Sequence, residues 1–308
     1  MTAIEPLPWR HHFVPAFYLR RWANKDGKLV EFSKPYGDQV KAKRRHPEET
    51  GFDAHVYNVR TDSGDIVLCL ENDFFKELDT LASDALRLIE DDFHKTSSNY
   101  KLRSAWSRFI LSMISRHPED VTEMGNRWLD RMLDVSDKFQ IEYSAERSPT
   151  DPGEFREWIA GLEKSEHARH ALELQAEMID SPVLGTILND MEWSVIETTG
   201  AAHPLLTSDR PVSRVGALTS RDALIVLPIG PSRFFVATND ARHGRSIRQL
   251  GASGKVRDLN RETVQRAVRF VYGPDDAQLV FVQRHMGTFQ LPSRFVGAPS
   301  HASRRSAR

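Results

Sequence analysis

The chain has 308 residues, 40% of them hydrophobic, with a formal net charge of -1 and one cysteine. That length admits one large domain or two smaller ones, and it supplies enough apolar side chains for a substantial core. No window approaches the roughly 18 consecutive apolar residues of a spanning helix, MTAIEPLPWRHH lacks the apolar run of a secretory signal, and a lone thiol excludes an intrachain disulfide; the expectation is a cytoplasmic protein without a membrane segment.

Residues 1–70 read as a strand-rich zone with one short helix. Pro15 takes the favoured first-turn position of a helix over AFYLRRWA, which NKDG ends. Tyr18, Leu19 and Trp22 share its core face, while Arg20 and Arg21 point outward or toward carboxylates. KLVEFSK and DQVKAKR alternate as a hairpin around PYGD, and HVYNV adds a strand. Lys41, Lys43, Arg44 and Arg45 in KAKRRH either keep an exposed strand edge soluble or contact phosphates. Cys69, inside the apolar run IVLCLE, reads as a core residue.

Residues 71–190 form a helical zone. Phe74, Leu78, Leu81, Ala85 and Leu88 repeat at helical spacing, as do Leu102, Ala105, Trp106, Phe109, Ile110 and Met113 in a helix that must stop near Pro118. VTEMGNRWLDRMLDVSDKF continues the pattern, and the stretch from DPGEF to AEMI adds one or two more helices. Within it Glu163, His167 and His170 have a spacing that could hold a metal, although so charged a helix is more simply a solvated face.

Residues 191–290 return to strands: EWSVIETT, HPLLTS, ALIVLPIG, SRFFVAT and AQLVFVQ. One helix, NRETVQRAVRFVYG, interrupts them, with Val264, Ala267, Val268 and Val271 on one face and Gly273 as its stop. The basic tail, residues 291–308, has little to bury and reads as disordered. The predicted class is α+β: a mixed or antiparallel sheet built from the N- and C-terminal zones, with a helical, bundle-like insertion between them, in one composite domain.

Charge is unevenly spread along the chain, at net +2 over residues 1–70, -13 over 71–200 and +10 over 201–308. Two readings compete for the basic end. It packs on or neutralises the acidic middle, or it presents a phosphate-binding face rich in arginine forks.

HHFVPAFYLRRWA near the start, SRHP closing the long amphipathic helix, PLLTSDRPV in the second half and the following LPIGPSRFF together resemble the domain-of-unknown-function family numbered 4238. The likeness runs from about His12 to about Gly273, with Trp22 as the aromatic after the Leu-Arg pair. It implies an architecture and a set of positions, but no mechanism, so function has to be argued from the site.

Three residues are catalytic candidates. His12 lies near the start of the first helix, where it either satisfies a backbone group or acts as a base or metal ligand near neutral pH. Asp209 and Ser208 in TSDRPV lie where a strand ends; they either close a turn or serve as metal ligand, general base and polar companion. His11 has a weaker claim. Arg116, Arg210 and Arg20 are candidate substrate-binding cations, Arg116 being also well placed at a helix C-terminus.

No Walker loop, GxGxxG, HExxH, GxSxG or paired CxxC is present. A ββα nuclease would need an Asn and a His beyond HHFVP, and Asn24 and His46 are poor substitutes. The leading reading is a hydrolase acting on an anionic substrate, in one form a metal-assisted phosphodiesterase or nuclease using a divalent ion held by His12 and Asp209. The other is a non-catalytic module that binds nucleic acid or a protein through the basic C-terminal surface. The enzyme reading predicts that His12 and Asp209 share one cleft, with Arg116 nearby.

Overall fold

The computed structural model describes residues 10–54, 56–60, 66–70, 74–96, 98–162 and 164–289. The N-terminal zone supplies β1 (Arg10–His12), α1 (Ala16–Leu19), β2 (Leu29–Tyr36), β3 (Gln39–Arg45), β4 (Phe52–Ala54), β5 (Asn58–Arg60) and β6 (Ile66–Cys69). The helical zone runs α2 (Lys76–Asp91), α3 (Tyr100–Ser115), α4 (Pro118–Asp134), α5 (Ser136–Glu146), α6 (Phe155–Ala160), α7 (Lys164–Ile179) and α8 (Pro182–Asp190). The C-terminal zone comprises β7 (Glu192–Glu197), β8 (Thr207–Ser208), β9 (Ser213–Val215), β10 (Leu224–Gly230), β11 (Arg233–Thr238), α9 (Ala241–Gln249), α10 (Ala252–Arg266), β12 (Phe270–Gly273) and α11 (Leu279–His285).

The fold is α+β with antiparallel sheets. One four-stranded sheet, ordered β3-β2-β12-β8, joins the two ends of the chain as expected, because β12 pairs with β2 on one side and β8 on the other. The second, ordered β7-β11-β10-β9, is wholly C-terminal. A single core cluster takes Phe13, Tyr18 and Trp22 from the first zone, Trp106 and Phe109 from the second, and Leu227 and Phe235 from the third. Two hydrogen bonds pin the first helical turns to the C-terminal zone: Trp22 Nε1 donates to the Leu205 carbonyl at 2.8 Å, and Tyr18 Oη donates to the Pro228 carbonyl at 2.7 Å. Each removes a polar atom's burial cost from an otherwise apolar contact.

Pro118 ends one helix by starting another. His117 caps α4, its Nδ1 accepting the Glu119 amide, and Pro118 follows at the first helical position, where a missing N–H costs nothing.

Three expectations need correction. AQLVFVQ is the helix α11, with Leu279, Val282 and Met286 turned inward at helical spacing; a short apolar run cannot by itself distinguish strand from helix. The helix expected to run to Gly273 ends at Arg266, and FVYG is strand β12. His12 belongs to a strand and pairs with Phe52, not to a helix start. Cys69 lies on β6, but its side chain is outside the described residues, as are Glu163 and the tail from residue 290.

Gly51 fixes the approach of the HHFVP segment. Its carbonyl accepts the amides of Phe13 and Val14, both at 2.9 Å, and its φ is +68°. A Cβ there would stand 3.0 Å from the Val14 side chain and backbone. Gly51→Ala is expected to cost about 1–3 kcal/mol through left-handed strain and crowding, read as a lower urea midpoint at unchanged m-value.

Candidate functional site

The motif segments HHFVP, SRHP and TSDRPV meet in the structure. The His117 ring packs edge-on against Phe13, with centroids 5.2 Å apart, and its Nε2 lies 3.7 Å from Asp209 Oδ2. Both side chains are buried. Asp209 also accepts three consecutive backbone amides: Val268 at 3.0 Å on Oδ1, and Arg269 at 2.5 Å and Phe270 at 3.0 Å on Oδ2. This carboxylate turns the chain from the end of α10 into β12, which is why the helical pattern stops early. Ser208 Oγ accepts the Arg210 amide at 3.2 Å in a local turn, and the Arg210 guanidinium pairs with the buried Asp120 at 2.9 Å.

His12 is held elsewhere. It lines a cleft of 560 Å³ between the β1–α1 segment and α2, together with Phe17, Arg20, Lys76, Asp79, Thr80 and Arg87. Asp209 is not among the lining residues, so the expected sharing of one cleft by His12 and Asp209 is not met. The reason is local geometry. Asp209 faces the α10–β12 junction and His117, while neighbouring side chains of an extended strand alternate faces. His11 accordingly turns inward: it is buried, stacks on Tyr57 at 5.6 Å, and accepts the Tyr57 amide on Nδ1.

Arg116 links the cleft to the motif junction. It is fully buried, forms a bidentate pair with Asp79 at 2.7 and 2.9 Å, and lies 4.1 Å from the centre of the Phe75 ring. Burial pushes the Asp79 carboxyl above the ordinary carboxylate range, against the opposing pull of Arg116. Burial first, and the Arg116 charge second, lower the His12 pKa from 6.5 to about 4. The ring is therefore neutral at pH 7, and its buried Nε2 has no hydrogen-bond partner among the described residues.

The depressed value has a consequence for stability. Between pH 6.5 and about 4 the unfolded chain binds a proton at His12 that the folded chain does not, so stability falls as pH drops through that window. The loss approaches roughly 3 kcal/mol below it. A series of urea midpoints from pH 7 to pH 4 should fall less steeply in His12→Gln than in the wild type. Parallel curves would mean that the imidazole is not desolvated.

Around the cleft the cations differ in their freedom. Arg20 pairs with Glu48 at 2.7 Å, and Arg87 pairs with Asp84 one helical turn away. Lys76 is exposed and forms no ion pair among the described residues. Arg44 pairs with Asp26, which places part of the KAKRRH charge in a local ion pair. His170 stacks on Trp128 at 4.4 Å and lies 3.4 Å from Glu173. Among the described residues no group of three or more His, Cys, Asp or Glu side chains could hold a metal ion. No described helix is long and apolar enough to cross a membrane.

With these positions in place, the sequence match becomes interpretable: the family described as Protein of unknown function (DUF4238) matches residues 10–277. The chain belongs to this family. The matched span holds all three motif segments, the His12 cleft and both four-stranded sheets. Searches of curated proteins and of solved structures returned no match. Membership in DUF4238 therefore supplies the frame, and the side chains must supply the chemistry.

Sequence reasoning missed Asp79 and His117. Asp79 sits in an amphipathic helix, where a carboxylate reads as solvated, and only the partnership with Arg116 distinguishes it. His117 lies inside the quoted SRHP motif, and its cap position before Pro118 was a usable signal.

Proposed function

We propose that this DUF4238 protein is a hydrolase acting on an anionic substrate, with His12 as the proton-accepting group in the α2 cleft. The observation that carries the reading is the neutral, half-buried His12 imidazole in the wall of a cleft bordered by Arg20, Lys76 and Arg87, its buried Nε2 without a hydrogen-bond partner among the described residues. A base must be unprotonated at working pH, and the Arg116 charge behind the ring helps to keep it so. Among the described residues Lys76 has no ion-pair partner to release before it meets an anion, while Arg20 and Arg87 can exchange exposed carboxylates for substrate at little cost. Arg116 acts through His12, and Asp79 holds Arg116 in place. Asp209, Ser208 and Arg210 hold the framework. A divalent-ion form of this reaction, with His12 and Asp209 as joint ligands, draws no support from their separate settings.

The test is a hydrolysis assay with p-nitrophenyl phosphate, bis-p-nitrophenyl phosphate and a single-stranded RNA as probes, run on wild type and His12→Asn. Turnover of one probe, reduced by about 100-fold or more in the variant at an unchanged melting temperature, is the expected result. Activity that survives the substitution would remove His12 from the chemistry.

A second reading, nucleic-acid binding without catalysis, is favoured by one observation. Arg245 and Arg248 on α9 are exposed and have no ion-pair partner among the described residues, whereas Arg233, Arg242, Arg257, Arg266 and Arg269 each pair with a carboxylate. On that reading, duplex DNA binds with a steep salt dependence, and charge reversal at Arg245 and Arg248 weakens it while His12→Asn does not.

A further inference from the structure

We propose that the groove between α10 and α11 is a second binding site, taking a small amphiphilic anion: an aliphatic body ending in a carboxylate. The groove has a volume of 340 Å³ and is lined by Ala202, Val256, Ala277, Val280 and Phe281, with His203, Arg257 and Arg284 among its polar residues. That volume lies at the small end of the range that small-molecule sites occupy. Val280 is 72% exposed beside the partly buried Phe281, an apolar pair that a ligand would dehydrate.

The polar groups at the base of the groove are already engaged. Asn260 accepts the Leu206 amide and donates to the Pro204 carbonyl and to Gln278 Oε1, and Gln278 donates to the same carbonyl. They shape the base and ask nothing of a ligand. The cations are different. Among the described residues no carboxylate lines the groove, Arg284 has no ion pair, and Arg257 has one, with its exposed neighbour Asp258 at 3.0 Å. Burial first, and then the charges of Arg261 and Arg284, hold the neighbouring His285 below its ordinary pKa.

An apolar trough edged by an unpaired Arg284 and an Arg257 held only by an exposed carboxylate, with no described carboxylate in its lining, selects its ligand by two criteria together. Free phosphate would leave Val280 and Phe281 wet, and a neutral hydrocarbon would leave the arginines unused. A nucleic-acid backbone has charge without the apolar body. A medium-chain carboxylate satisfies both, with its chain along Val256, Val280 and Phe281 and its head at Arg284 and Arg257 through charge-assisted hydrogen bonds.

The experiment uses the full chain with decanoate and the uncharged decanol as probes, followed by displacement of 8-anilinonaphthalene-1-sulfonate fluorescence and by calorimetry. Decanoate is expected to bind saturably at one site. Ala277→Trp, which fills the trough from an exposed position, should weaken both probes by about tenfold or more. Arg284→Gln should weaken decanoate by about tenfold, the size of one lost charged hydrogen bond, and leave decanol within about twofold. Melting temperatures within a few degrees of wild type show that both variants fold. The proposal is overturned if decanoate does not saturate, if Ala277→Trp leaves its binding unchanged, or if Arg284→Gln weakens the alcohol and the acid equally.

Discussion

Asp209→Ala is expected to destabilise the protein by about 3–5 kcal/mol, among the largest effects of any single substitution in the chain. The carboxylate accepts three successive amides, those of Val268, Arg269 and Phe270, and lies beside the buried His117 ring. Each amide left without an acceptor in a part-buried setting costs about 1–3 kcal/mol, and water can enter to recover some of that. Asp209→Asn keeps one acceptor oxygen and turns a donor group toward the same amides, so it should recover less than half of the loss. Urea midpoints at constant m-value measure both variants. A loss below about 0.5 kcal/mol in Asp209→Ala would mean that the carboxylate is not the anchor of the α10–β12 junction, and would return it to the list of reacting groups.

Arg116→Met is the second large effect. Its guanidinium is fully buried, and its removal strands the Asp79 carboxylate opposite Phe75 without a counter-charge. Breaking a buried pair from one side costs about 3–5 kcal/mol, whereas replacing both partners with apolar groups can be close to neutral. Asp79 is 21% exposed at the cleft, which lowers that cost, so Arg116→Met should lose about 2–3 kcal/mol, and adding Asp79→Leu should restore most of it. A double variant as unstable as the single one would show that Arg116 is held by contacts other than Asp79. The folded double variant carries a second expectation: without the nearby positive charge the His12 pKa rises above its value of about 4.

Long-period features were the most readable in the sequence. The stripe from Ala105 to Met113 emerges as the buried face of α3, and the hairpin around Tyr36 and Gly37 forms β2 and β3. The joining of N- and C-terminal zones in one sheet was also legible, since strands stood at both ends of a helical middle. Short elements were not. β1 and β4 have three residues each, too few for alternation to register, and they exist because Gly51 accepts two amides beside them. α11 and β12 were exchanged because the α10 helical pattern runs past Arg266, and the force that breaks it comes from Asp209, nearly sixty residues away. The same separation hid the roles in the site. TSDRPV reads equally as a turn device or a reactive strand end, and the amides that Asp209 accepts come from a segment that spacing does not connect to it; the Asp79–Arg116 pair has no signature in spacing at all.

The most direct test of the His12 cleft is a nitrogen-15 NMR titration of the histidine side chains, with His12 assigned by its loss in His12→Gln. At pH 7 its ring nitrogens should show a neutral tautomer, titrating only at about pH 4. Inorganic phosphate should shift the His12 Nε2 resonance saturably, and Lys76→Gln should weaken that response. An imidazole that titrates at its ordinary value of 6.5 and ignores phosphate would contradict both the neutral base and the anion-binding cleft.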